Sequence, residues 1–390
     1  MTASNWSVPE TEVVQRVRER VETTETDVLA TIVDVEGNAY RRPGAKMLLD
    51  EEGGGVGSIT AGCLEDELLR QAESVRESGR PELVTYDLME DDDDVWGLGV
   101  GCNGIIDVLL EPLTERYQPA VDAFDAGEDV AIVTVLESDA ESLSTGDRLY
   151  YYPDGDRFGT PGSEPVAVWP REKLREPAEE LADRGRGDVL ETTVEGERVD
   201  LFVDGLSAPP ELVVFGTGHD VGPVVELAKL NDFRVTVVSF RGGVDPEARF
   251  PSIDRGMTTS PGTLREDLDL DGNTYAVVMT HNFVDDRLAV DTLLESPVPY
   301  VGLMGPRERF EEMLAKFETE GRQIDADERA KLYTPVGLDL GSGSPYGIAH
   351  SIVAELLAVV NDCEPRHLTE REGPVHGRVD VASDPDAPTS

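Results

Sequence analysis

Positive charge is what this chain has least of. Its 390 residues include five lysines, and 34 lysines and arginines stand against 80 acids, a formal net charge of −46. The acids run along the whole chain, so the deficit belongs to the entire surface. Such a surface excludes nucleic acid and anionic membranes as partners, because Lys and Arg must neutralise phosphates there. It is a halophile-like composition, suited to very high salt, where repulsion between carboxylates is screened over short distances. Long apolar runs are also missing: nothing approaches the roughly 18 uninterrupted apolar residues of a membrane span. The start, Met1-Thr-Ala-Ser-Asn-Trp6, lacks the basic and apolar regions of a signal peptide. Three widely spaced cysteines do not make a disulfide framework, so the expected location is a reducing cytoplasm. No Ser-His-Asp set, His-Glu-x-x-His or zinc-finger spacing occurs, and no internal repeat is visible. Apolar segments with a clear period recur throughout, which excludes a disordered acidic chain.

Two of the three cysteines lie in glycine-rich loops, Gly57-Ser-Ile-Thr-Ala-Gly-Cys63 and Gly97-Leu-Gly-Val-Gly101-Cys102-Asn-Gly104. A thiolate is a soft metal ligand and a nucleophile, while glycines let bare backbone N–H groups close around an anion. A loop offering both suits a phosphorylated molecule that also carries a soft metal or sulfur. Cys363, near a helix C-terminus, reads as incidental.

The patterning predicts an α/β protein of two domains and a tail. In the first domain, 7–205, a helix carries Val13, Val17 and Val21, and strands cover Leu29–Val33, Lys46–Leu49, Leu83–Leu88 and Ile105–Glu111. A helix from about Leu64 to Glu77 follows the first Cys loop. From about 118 to 205 the pattern weakens into short strands between Asp/Gly/Pro turns and reads as a connecting region. Pro209-Pro210 marks the boundary. The second domain, 206–363, alternates strands at Glu211–Phe215, Arg234–Ser239, Tyr275–Met279 and Tyr300–Met304 with helices near 224–231, 286–295, 306–319 and 345–361. That alternation implies a parallel, Rossmann-like sheet covered on both faces. Residues 364–390 read as a disordered acidic tail.

Phe215-Gly216-Thr-Gly218-His219-Asp220-Val-Gly222 follows a strand and opens a helix, the setting of a dinucleotide fingerprint. Its spacing is one residue longer than the common form. The next strand ends Val237-Val-Ser239-Phe240-Arg241, without the acid that clasps an NAD ribose. Arg241 is suited to a 2′-phosphate or another phosphate-bearing ligand, or is a plain surface turn. His219 faces the ligand or only starts the helix. His281, after a strand's C-terminal end, is a binding or a loop-fixing residue. Arg307 and Arg309 begin a helix, where they would meet phosphate or a partner carboxylate; Glu65 and Glu67 favour a helix dipole.

Gly57-Ser-Ile-Thr-Ala-Gly-Cys63-Leu-Glu65 and Trp96-Gly-Leu-Gly-Val-Gly-Cys102-Asn-Gly104, with Leu110-Glu-Pro112 beyond, resemble the N-terminal domain of xanthine dehydrogenase accessory factors of the XdhC/CoxI type. Phe215-Gly-Thr-Gly-His219, Arg249-Phe-Pro251, Met279-Thr-His281, Tyr300-Val-Gly-Leu-Met-Gly305 and Thr334-Pro-Val-Gly-Leu-Asp-Leu-Gly341 extend the likeness over most of residues 10–360. The resemblance implies an N-terminal α/β XdhC/CoxI-like domain before a Rossmann-like one, with the ligand in the cleft between them. It implies a chaperone without turnover of its own, which transiently binds the molybdenum cofactor in its molybdopterin form. A cysteine desulfurase then helps its sulfuration, and a molybdenum hydroxylase of the xanthine dehydrogenase, carbon monoxide or aldehyde dehydrogenase type receives it. The family's cofactor-binding cysteine falls on Cys102 first, as a molybdenum ligand, and on Cys63 second. Gly101, Gly104, Gly216, Gly218, His219, Gly222 and His281 complete the expected cofactor site. The family's Asp-Asp-Arg-like strand end is Ser239-Phe240-Arg241 here, which counts against a bound NAD. The alternative function is an NAD(P)-dependent oxidoreductase using the Rossmann half, with His281 as acid–base. A homodimer is the expectation from base rates.

Overall fold

The computed structural model describes residues 5–21, 23, 26–37, 39–88, 104–162 and 168–370. Residues 371–390, most of the expected tail, lie outside the described residues. The chain forms two compact units, one of residues up to Ala208 together with those from Leu368 onward, the other running Pro209–His367.

The first unit begins with α1 (Glu10–Val21), β1 (Val28–Gly37), β2 (Lys46–Leu49), β3 (Gly55–Gly57), α2 (Glu65–Ser78), β4 (Glu82–Asp87) and β5 (Gly104–Pro112). These strands make an antiparallel sheet in the order β3-β2-β1-β5-β4. The same series follows again: α3 (Gln118–Ala126), β6 (Val130–Ser138), β7 (Arg148–Tyr152), β8 (Arg157–Gly159), α4 (Arg171–Arg184), β9 (Gly187–Val194) and β10 (Glu197–Leu206). Its sheet has the order β8-β7-β6-β10-β9, the first order repeated strand for strand. This corrects the expectation of no repeat, and residues 118–205 are a complete second copy rather than a connecting region.

The likeness reaches single residues. Thr31 pairs with Lys46 as Thr134 pairs with Arg148, and Leu29 faces Glu111 as Ile132 faces Asp204. Val33 is skipped by a bulge in β1 and Leu136 by a bulge in β6. The two skipped residues pack together with Leu109 and Phe202 between the sheets. Each copy covers its outer face with its own helix: Val28, Ala30 and Ile32 lie against Leu68, Ala72 and Val75 of α2. Ala131, Val133 and Val135 lie against Leu174, Ala178 and Leu181 of α4. The facing surfaces also bury charge. Lys46 of one copy pairs with Asp204 of the other at 2.6 Å, their side chains 7% and 6% exposed, and Arg148 pairs reciprocally with Glu111.

The second unit contains β11 (Glu211–Phe215), α5 (Val221–Lys229), β12 (Arg234–Ser239), the short α6 (Pro246–Arg249), β13 (Arg255–Thr258) and the short α7 (Leu264–Asp267). Then come β14 (Thr274–Val278), α8 (Phe283–Leu294), β15 (Tyr300–Leu303), α9 (Arg307–Thr319), the short α10 (Ala326–Ala330), β16 (Leu332–Tyr333) and α11 (Pro345–Val360). All six strands are parallel, in the order β13-β12-β11-β14-β15-β16. This is the Rossmann order, whose switch point falls between β11 and β14. Alternate residues of β11 go to opposite cores. Leu212 and Val214 meet α5 and α11, while Val213 and Phe215 meet α7, α8 and α9. β13 and β16 have no counterpart in the sequence pattern because one is largely exposed and the other has two residues.

Candidate functional site

In the first unit, β3 leads into the loop that carries Cys63. Ile59 is buried and anchors it. The hydroxyl of buried Thr60 accepts from the backbone N–H of Cys63 at 3.0 Å and of Leu64 at 3.2 Å, and donates to the Glu65 carboxylate at 2.9 Å. Glu65 in turn accepts from the Leu64 N–H at 3.0 Å. Cys63 therefore sits half-buried on a pinned turn just before the N-terminus of α2, where the helix favours a thiolate. Glu65 is more than a helix-dipole residue: it is buried and locks the loop. Gly62 has φ of 106° and open space where a side chain would be, so its backbone is accessible beside the sulfur. The guanidinium of Arg41, on the β1–β2 turn, lies 3.5 Å from the Ser58 hydroxyl at the mouth of the same loop and also pairs with Glu10.

Gly104 is buried, opens β5 and pairs with Gly37. Gly101 and Cys102 lie outside the described residues. Residues 88–103 separate β4 from β5 where Glu195-Gly196 alone separate β9 from β10, so the first copy carries the longer connection. Among the described residues no group of three or more His, Cys, Asp or Glu is placed to hold a metal ion.

In the second unit the turn after β11 closes against the end of β14. A Cβ on Gly216, at φ 144°, would lie 2.5 Å from the Met279 carbonyl oxygen, so only glycine fits. Asp220 precedes α5 and its carboxylate meets His281 Nε2 at 2.9 Å. His281 has φ of 60°, a left-handed conformation rare for a non-glycine residue. Its neighbours explain this. Thr280 is tied by N–H and hydroxyl to buried Asp286, and Asn282 caps α8 by accepting from the Val284 and Asp285 N–H groups. The backbone between two anchored residues has little choice.

These groups line a cavity of about 280 Å³ that reaches from Gly216, Gly218 and His281 to Arg241 and Arg249. A neighbouring cavity of about 400 Å³ runs past Gly222, Arg249 and Phe250, and His219, which is exposed, borders both. At the end of β12 the Ser239 hydroxyl accepts from the Arg241 N–H at 3.1 Å, with no carboxylate in the ribose position. Two sequence expectations change. Arg309 is held by Asp286, whose side chain is 1% exposed, and Arg307 pairs on the surface with Glu311. Asp220, Thr60 and Arg249 join the site only in the structure. Asp220 and Thr60 lie inside quoted motifs, and Arg249 in the Arg-Phe-Pro signature, but none of these motifs assigns them a role.

Two family models match the chain: one described as the XdhC and CoxI family over residues 10–87, the other as the XdhC Rossmann domain over residues 212–356. The chain belongs to the XdhC/CoxI family. A Bacillus subtilis (strain 168) protein, named as a probable xanthine dehydrogenase subunit, is 29% identical over 341 residues, 86% of this chain and 94% of that protein. YqeB of Escherichia coli (strain K12) is 30% identical over 196 residues, 48% of this chain and 36% of that one. A crystal structure of a xanthine dehydrogenase from Bacillus halodurans superimposes with a TM-score of 0.72 at 29% identity, covering 93% of this chain and 98% of that one. Among its described residues this XdhC/CoxI protein has no helix long and apolar enough to cross a membrane.

Proposed function

We propose that this chain binds the molybdenum cofactor as cargo, supports its sulfuration by a cysteine desulfurase, and hands it to a molybdenum hydroxylase of the xanthine dehydrogenase type. The observation that carries the reading is the Cys63 turn: a half-buried thiol at a helix N-terminus, fixed through Thr60 and Glu65, with open glycine backbone beside it. The donor chemistry fits the cargo, since a thiolate matches soft molybdenum and its sulfur while glycine N–H groups match a phosphate. Cys102, in the segment between β4 and β5, is the second thiol of the proposed grip. The bound cofactor brings the metal and sulfur chemistry; the chain's own residues hold, orient and shield it.

The test is uptake of molybdopterin by the purified protein in molar KCl, read from the fluorescence of its oxidised form. Cys63→Ala and Cys102→Ala are each expected to lower retention, and the double variant to abolish it. Full retention by the double variant would remove the thiol role. A second reading, an NAD(P)-dependent oxidoreductase, is favoured by the His281–Asp220 pair beside the Gly216–Gly218 turn. Hydride exchange with NADPH by the isolated protein would support it.

A further inference from the structure

The first unit gathers arginines at one corner in a chain dominated by acids. Arg42 lies two residues before Gly44 on the β1–β2 turn, and Arg186 directly precedes Gly187 at the start of β9. The two backbones nearly touch there: a Cβ on Gly187 would lie 3.3 Å from the Gly44 nitrogen. Arg186 is half-buried, and among the described residues its guanidinium has no hydrogen bond or ion pair. Burial, then the like charges of Arg42 and Arg184, push it down to about 10. Arg41, next along the turn, reaches the Ser58 hydroxyl of the Cys63 loop.

The second copy provides an internal control. Its β6–β7 turn makes the same bonds: Gly146 N–H to Val135 O and Val135 N–H to Asp147 O, matching Gly44 to Ile32 and Ile32 to Ala45. Gly146 abuts Pro81 as Gly44 abuts Gly187. Yet Ser144 stands in the place of Arg42, Asp147 in the place of Ala45, and Arg80, the counterpart of Arg186, is exposed. The Asp147 carboxylate accepts from the Ser144 N–H at 2.8 Å. The turn thus needs no arginine to form. The basic corner forms only at the β1–β2 turn of the Cys63 copy, where Arg186 of the second copy meets it; the equivalent corner at the β6–β7 turn lacks it. A half-buried guanidinium facing like charges, as Arg186 does, is costly unless an anion meets it.

We propose that Arg42 and Arg186, with Arg41 beside them, form an anion site for a phosphate or pyrophosphate group. Resting on the proposed function, this group is the phosphate end of the cargo whose sulfur and metal end meets Cys63. The experiment titrates inorganic pyrophosphate into the full chain by calorimetry, in an Arg241→Gln/Arg249→Gln background so that the Rossmann cavity does not contribute. Arg186→Gln is expected to weaken binding about ten-fold, the worth of one charge-assisted contact. It is also expected to raise the melting temperature without anion, because the half-buried charge is gone. Arg186→Lys keeps most of the affinity, and Arg175→Gln, which removes an exposed arginine paired with Asp156 away from this corner, stays within about two-fold of the background, as a surface pair would. Absence of pyrophosphate binding, or equal affinity in Arg186→Gln, overturns the site. Molybdopterin uptake measured in parallel separates the two ideas. Uptake without an Arg186-dependent pyrophosphate site sinks this inference alone. An Arg186-dependent site without uptake keeps the anion site and sinks the proposed function.

Discussion

Thr60 and His281 are single residues set in loops, and they separate structural from binding roles in different ways. The Thr60 hydroxyl serves two N–H groups at the start of α2 and donates to Glu65. Thr60→Val keeps the shape but strands those donors, and losses of this capping type cost about 1 kcal/mol. The urea midpoint is expected to fall by the corresponding amount, with Thr60→Ser close to the parent. An unchanged midpoint in Thr60→Val would show that the loop is held by other means. His281 is the opposite case, a residue whose backbone conformation costs stability. A non-glycine residue in the left-handed region stores on the order of 1 kcal/mol or more. His281→Gly removes this strain and the bond to Asp220, at the cost of a more flexible unfolded chain. Stability is therefore expected to hold or to rise by up to about 1 kcal/mol, while binding of a phosphate-bearing ligand in the Gly216–Arg241 cavity weakens. A marked loss of stability would make His281 a loop-fixing residue only.

At the scale of elements, the duplicated sheets are tied by two reciprocal buried ion pairs, Lys46–Asp204 and Arg148–Glu111. Burial alone would lower Lys46, but Asp204 beside it raises it above the ordinary lysine value. Lys46→Met leaves Asp204 buried without a counter-charge, and breaking such a pair costs about 3–5 kcal/mol. Adding Asp204→Leu is expected to recover most of that loss, measured by denaturant unfolding; a double variant no better than the single one would show that the pair does more than neutralise itself. Because the folded lysine is raised, its contribution is fully present below the unfolded value of about 10.4 and is lost as pH climbs through the folded one. Melting curves above about pH 10 should thus fall more steeply in the parent than in the double variant. These pairs also explain what the sequence concealed. Apolar, β-branched runs such as Leu212–Phe215 and Val235-Thr-Val-Val238 announced the parallel sheet, and the glycines around Cys63 and Gly216 announced both loops. The duplication is carried instead by register, by bulges at Val33 and Leu136, and by charges that keep their sign but change type. None of that forms a pattern along one strand. Asp220 was equally silent, because its partner lies sixty-one residues away and only the β11–β14 pairing brings them together.

For the whole molecule, the decisive quantity is the net charge of −46. Self-repulsion on that scale opposes a compact state. Raising KCl from about 0.1 M to about 1 M shortens the screening length from about 10 Å to about 3 Å. The same screening weakens exposed ion pairs such as Arg18–Asp125 and Arg265–Glu295, but each of these is worth at most about 1 kcal/mol. The buried pairs between the sheets are screened much less. With eighty acids against thirty-four bases, repulsion outweighs these pairs, so the melting temperature is expected to rise with KCl. The form of the rise identifies its cause. Screening of repulsion saturates as the screening length falls below the spacing of surface carboxylates, whereas salts excluded from the surface go on strengthening apolar burial as their concentration grows. A curve that climbs steeply and then flattens near molar KCl supports the high-salt reading of the composition. A flat or falling curve would mean that the acids are paired or dispersed well enough to need no salt, and the surface would then have to be explained by something other than its solvent.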